Sequence, residues 1–201
     1  YSTNKKTKIL LGLDYVLLRQ QFLTIARTNK PILNGNGVFI CFGGADTYNL
    51  GEKFVRELVR LKFKDPIYWV TNSKNIDHSV YTKNVHILSN LSEDQMIVYM
   101  SKATVLLIPS SVLSFEAMAL RKPIFTCYFV ENQQLINKGL LNSELACGVG
   151  LIKTGKVVKN TIHIFLKYYQ KTVLHEKQIN KQFLFLDGES NNRISKIIGS
   201  L

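Results

Sequence analysis

The stretch Val105-Leu106-Leu107-Ile108-Pro109-Ser110-Ser111-Val112-Leu113-Ser114-Phe115-Glu116-Ala117 decides the fold. Its first four residues are an unbroken apolar run, Pro109 and two serines interrupt it, and a helical pattern begins at Val112. An apolar run without polar alternation reads as a strand covered on both faces, which is the habit of parallel sheets. A strand that turns directly into a helix presents unpaired N–H groups and a partial positive charge at the sheet's carboxyl edge. The same grammar occurs earlier, where Val38 to Cys41 runs into Cys41-Phe42-Gly43-Gly44-Ala45-Asp46 and then a helix. Two helix N-termini at the carboxyl ends of parallel strands can hold a diphosphate without a metal, so the pattern predicts a crevice suited to a nucleotide sugar.

Working outward, strands and helices alternate. The spacing predicts strands over 67–71, 85–88, 105–108 and 123–128, and helices over 49–62, 92–102, 112–120, 132–138, 157–169, 177–183 and 191 to the end. In the first of these helices Leu50, Phe54, Leu58 and Leu61 share a face while Glu52, Lys53, Arg56 and Arg60 fall elsewhere, as packing on a sheet requires. A doubly wound, Rossmann-like parallel α/β sheet follows.

The 201 residues, 46% of them apolar, suffice for one domain with a sizeable core. Residues 37–201 read as that domain and residues 1–36 as an interdomain linker and lead-in segment. The chain starts at Tyr1 and not Met, with a polar, basic stretch after it, so a piece of a longer protein is expected. No run approaches the length of a membrane span, and no secretory leader pattern is present. Three widely spaced cysteines, Cys41, Cys127 and Cys147, give no zinc spacing and read as reduced thiols of a cytoplasmic protein. The net charge of +12 is spread along the chain without base-stacking aromatics, so a nucleic-acid partner is not expected. His78, His86, His163 and His175 have no ligand-spaced partners and read as packing or surface residues, so neither metal nor cofactor is predicted.

Several segments together resemble a known family. Ile9 to Phe22, with Leu17-Leu18-Arg19, and Phe42-Gly43-Gly44-Ala45-Asp46 are similar to the second domain of bacterial UDP-sugar hydrolases of pseudaminic acid synthesis and of spore-coat polysaccharide proteins. Glu116, Pro123 and Asn132-Gln133 match a pattern shared with UDP-sugar glycosyltransferases of the two-Rossmann-domain, GT-B type, and Leu186-Asp187-Gly188, Arg193 and Ile194 resemble the closing helix. Two departures stand out: Leu13 replaces a usual proline, and Ser110-Ser111-Val112-Leu113 replaces Gly-Gly-Ser-Thr. The resemblance implies the C-terminal half of a GT-B-type fold, with UDP or a UDP-sugar and the parent's N-terminal domain as partners. It further implies hydrolysis of a UDP-linked 2,4-diacetamido-2,4,6-trideoxy sugar to free sugar and UDP, with the catalytic groups in the N-terminal domain, which is not in these residues.

The expected binding residues are Gly43, Gly44, Asp46, Ser110, Ser111, Ser114, Glu116, Asn132 and Gln133. A carboxylate followed by Ala117-Met118-Ala119-Leu120 needs polar partners, and the resemblance implies that Glu116 accepts from the ribose 2′- and 3′-hydroxyls. The plainer reading is a carboxylate that stabilises early helical turns. Gly43 and Gly44 allow close backbone approach or form an ordinary turn, and Asp46 or Thr47 is a candidate helix cap. Backbone N–H groups, with the hydroxyls of Ser110, Ser111 and Ser114, are the donors available to a diphosphate. Asn132 and Gln133 are read as sugar contacts, with Asn132 as a helix cap and Gln134 as a substitute contact the alternatives. The resemblance also implies a uracil site in the loop between Val85 and Met96, where Leu91 and Met96 read equally as core. A glycosyltransferase domain, a non-catalytic module of a polysaccharide-assembly protein and a basic nucleic-acid binder are the competing readings.

Overall fold

The computed structural model describes residues 7–28, 35–43, 46, 48–153 and 155–200. Six strands form one sheet: β1 (Val38–Cys41), β2 (Ile67–Val70), β3 (Val85–Leu88), β4 (Val105–Pro109), β5 (Ile124–Tyr128) and β6 (Cys147–Leu151). All neighbours are parallel and the order is β3-β2-β1-β4-β5-β6. The helices are α1 (Gln20–Thr28), α2 (Leu50–Arg60), α3 (Glu93–Lys102), α4 (Val112–Ala119), α5 (Gln134–Asn142), α6 (Gly155–Tyr169), α7 (Thr172–Phe185) and α8 (Ser190–Ile198). The expected doubly wound α/β fold is therefore present. The strand β6 and the helix α1 were not anticipated.

Strand periodicity divides the apolar side chains between two cores. Phe39, Cys41, Leu106 and Ile108 enter one, against Phe22 and Leu23 of α1, Met100 of α3, Ala117 and Met118 of α4 and Leu140 of α5. Val38, Ile40, Val105 and Leu107 enter the other, against Leu50, Phe54 and Leu58 of α2 and Ile162 and Phe165 of α6. Both faces are covered, which is why the runs lack polar alternation. Gly37 leads into β1 at φ +86°, where a Cβ would lie 2.0 Å from the Pro66 carbonyl oxygen. Nothing larger than glycine fits there.

The ends of α2, α4 and α5 share one device. In α4, Lys122 N–H donates to the Ala117 carbonyl and Arg121 N–H to that of Met118, closing a Schellman turn with Arg121 in the left-handed region at φ +55°. Lys62 and Glu144 take the same position after α2 and α5. Arg121 does more than end a helix. Its buried guanidinium lies 4.5 Å from the Phe183 ring centre. Nη1 donates to the carbonyls of Met118 and Gln182, and Nη2 to those of Ala26 and Leu186. One cation thus meets the negative C-terminal ends of α1, α4 and α7, where helix dipoles favour it. Burial pulls the guanidinium down to about 10.

Leu186-Asp187-Gly188 and Arg193 have structural work: Asp187 is ion-paired with Arg193, and the Gly188 carbonyl accepts from Arg27 Nε at 3.1 Å. Buried His175 bonds the Tyr168 carbonyl through Nε2 at 3.0 Å, and burial lowers its pKa from 6.5.

Replacing Arg121 with Met strips four buried carbonyls of their charged donor and is expected to lower the unfolding free energy by about 2–4 kcal/mol in urea titration. Arg121→Gly, which relieves the left-handed backbone, is not expected to recover it. His175 binds its proton more readily unfolded than folded. Stability is therefore expected to be full above pH 6.5 and to fall as pH drops below it, a slope that His175→Gln should flatten in melting curves.

Candidate functional site at the strand switch point

Strands β1 and β4 are neighbours. Chain direction reverses in strand order there: β1 continues through α2 on one face, whereas β4 continues through α4 on the other. The two loops part above the carboxyl edge and open a crevice, where ligands of doubly wound sheets bind. The loop after β5 joins them, because Phe129 lies 6.1 Å from Phe42 and 6.3 Å from Tyr48, ring centre to ring centre.

The two helix N-termini at this edge differ. Asp46 accepts from Leu50 N–H at 2.8 Å and from Gly51 N–H at 2.7 Å, so its carboxylate caps α2 and neutralises that helix's positive end. Burial raises the Asp46 pKa, opposed by the two amide bonds. Trp69, with the cap behind it, explains Gly51, whose added Cβ would lie 2.8 Å from Trp69 Nε1 and 3.2 Å from Asp46 Oδ2. At α4 the cap is looser: Ser111 Oγ accepts from Leu113 N–H at 3.3 Å, and Ser114 Oγ from Ser111 N–H at 3.5 Å.

The predicted serines divide. Ser110 is fully buried, its Oγ 2.8 Å from Thr126 Oγ1 and accepting from Asn137 Nδ2 at 2.9 Å. Ser114 is fully buried too and donates to the Pro109 carbonyl at 2.8 Å. Both hydroxyls are directed into the protein by the turn that starts α4, and only Ser111 stays half-exposed at the edge. Gln133 Oε1 accepts from Phe129 N–H at 3.2 Å, holding the turn after β5, while Asn132 is exposed. Gly43 is exposed at φ +83° with open space where a Cβ would stand. Gly44 and Thr47 lie outside the described residues. Met96 packs against the core on the α3 side.

Glu116 has a partner that sequence reading did not name. Arg19 Nε donates to its Oε1 at 2.8 Å and Nη2 to its Oε2 at 2.9 Å. The Glu116 side chain is 8% exposed and that of Arg19 39%, so the pair sits at the mouth of the buried region. The hydrogen bonds to Glu116 raise the Arg19 pKa further above its usual value. The signal was present, since Arg19 lies in the quoted Leu17-Leu18-Arg19 motif, but no spacing rule joins residues 97 positions apart.

A groove of about 690 Å³ opens elsewhere, lined mainly by Leu13, Val16, Phe115, Ile136, Leu140 and Phe185, and includes none of the predicted binding residues. Among the described residues no three His, Cys, Asp or Glu side chains gather as metal ligands, and no helix is long and apolar enough to cross a membrane.

This architecture is the Rossmann-like half of a GT-B fold. The solved structures similar to it include the glycotransferase of kitacinnamycin, with TM-score 0.61 and 12% identity, covering 85% of this chain and 44% of that one. The UDP-GlcNAc 2-epimerase from Neisseria meningitidis, bound to UDP-GlcNAc, has TM-score 0.60 and 17% identity over 84% of this chain and 46% of its own. Phytolacca americana UGT2, complexed with UDP-2-fluoro-glucose and pterostilbene, has TM-score 0.59 and 12% identity over 89% and 44%. The chain thus spans less than half the length of these neighbours. No family profile and no curated protein matches the sequence.

Removing the α2 cap by Asp46→Ala is expected to lower stability by about 1 kcal/mol and to speed hydrogen exchange at the Leu50 and Gly51 amides, while the α4 amides stay unchanged.

Proposed function

We propose that this chain is the nucleotide-sugar-binding half of a GT-B-like protein that takes UDP or a UDP-sugar in the crevice between the β1 and β4 loops. The observation that carries the reading is Glu116, a nearly buried carboxylate in the second turn of α4, directly behind the switch-point crevice. A carboxylate has about four acceptor sites, and the two bonds from Arg19 leave room for a ribose diol. With Asp46 committed to α2, the diphosphate falls to the N-terminus of α4, aided by Ser111 and the open backbone at Gly43. Asn132, exposed beside the crevice, is the sugar contact. The similarity in fold to an epimerase solved with UDP-GlcNAc and to UGT2 with UDP-2-fluoro-glucose supports uracil as the base.

The resemblance at Leu17-Leu18-Arg19 and Phe42-Gly43-Gly44-Ala45-Asp46 favours hydrolysis of a UDP-2,4-diacetamido-2,4,6-trideoxy sugar, in a cytoplasmic step toward surface polysaccharide. On that reading this chain binds and orients the substrate. A second, N-terminal domain activates the water that displaces UDP from the sugar. A transferase that delivers the sugar to an acceptor is the second reading, favoured by the glycotransferase of kitacinnamycin among the neighbours.

Calorimetric titration tests the binding claim. UDP is expected to bind with Kd between about 10 μM and 1 mM, as befits half a cleft, and ADP about tenfold more weakly. Glu116→Ala is expected to weaken UDP by at least about tenfold. Equal binding of UDP and ADP, or none of either, would overturn the reading.

A further inference from the structure

The nucleotide-sugar reading leaves open what holds a buried carboxylate ready before ligand arrives. Arg19 is anchored on three sides. Its carbonyl accepts from Phe22 N–H at 3.1 Å and Leu23 N–H at 3.3 Å, which starts α1. The guanidinium lies 4.8 Å from the Phe22 ring centre, and that ring is fully buried in the core. Its fork then meets both oxygens of Glu116. Glu93, at the first turn of α3, adds a second negative charge acting on the same guanidinium.

A planar fork bonded to both carboxylate oxygens stops rotation of the carboxylate, which a single donor or an ammonium would not do. It also fixes which acceptor sites remain, and a diol recognised through both hydroxyls needs a carboxylate plane held within narrow limits. From this geometry, and resting on the nucleotide reading above, we infer that Arg19 is a positioning residue for ribose recognition: it sets the plane of Glu116 so that the remaining acceptor sites meet the 2′- and 3′-hydroxyls. The lead-in segment is thereby coupled to the site, because Arg19 bonds the very carboxylate that the ribose engages.

A purely structural arginine would weaken every nucleotide alike when removed. A positioning arginine alters discrimination between ribose and deoxyribose. The test is titration of the chain with UDP and with 2′-deoxy-UDP, in wild type, Arg19→Met and Arg19→Lys, with melting curves to confirm folding. Wild type is expected to prefer UDP by about tenfold or more, as loss of a hydrogen bond to a charged group implies. In Arg19→Met the preference should shrink to about twofold or less while affinity for 2′-deoxy-UDP stays nearly unchanged, and Arg19→Lys should fall between. An unchanged preference in a folded Arg19→Met, whether or not overall affinity drops, overturns the positioning role and leaves the nucleotide reading intact. Failure of wild type to bind either nucleotide overturns both.

Discussion

The position of α1 depends on Arg121, and the candidate site depends on α1. The guanidinium draws carbonyls from α1, α4 and α7 into one place, seating a helix from the beginning of the chain against one from its middle and one from near its end. Arg19, just before α1, and Glu116, in the second turn of α4, make the second tie. Helix α1 is therefore held against α4 at both of its ends, with Phe22 and Leu23 buried between the two ties. Burying a guanidinium without a bonded carboxylate is costly, and the four carbonyls together with helix dipoles compensate for it.

The crevice is correspondingly asymmetric. A symmetric pair of helix N-termini would attract anions equally, but Asp46 has turned the β1 side into a closed cap, while the cap at α4 is made by serine hydroxyls and carries no charge. Aromatic contacts between Phe42, Tyr48 and Phe129 then tie the β1 and β5 loops across the end of β4. The groups gathered at this edge are backbone donors, the half-exposed Ser111 hydroxyl and the Glu116 carboxylate bonded to Arg19.

Much of the fold was legible because its signals are local. Unbroken apolar runs marked β1, β4 and β5, and apolar spacing marked α2, α3, α4 and α6. What escaped is of three physical kinds. The edge strand β6 carries Gly148 and Gly150 and is half-exposed, so it shows neither an apolar run nor alternation. Gly148 is there because a Cβ would lie 1.9 Å from the Thr126 carbonyl oxygen, a tertiary reason no local pattern contains. Helix ends were blurred because Lys62, Arg121 and Glu144 hold the left-handed position where glycine is the usual marker. At the site, residue types could nominate Ser110 and Ser114, but only the turn's geometry reveals that their hydroxyls point inward. Glu116 was singled out by its apolar surroundings, whereas its ion pair with Arg19 is a fact of folding at long range.

The Arg121 cluster also orders events during synthesis. Strands β1 to β3 can begin pairing once residue 88 has emerged, but α1 gains the helix it packs on only when α4 is made. Its lock closes later still, when Gln182 and Leu186 supply the last carbonyls. Helix α1 is thus among the last of the described helices to be secured. Contacts that join residues 26, 121 and 186 are long-range in sequence, which is the topology that slows folding.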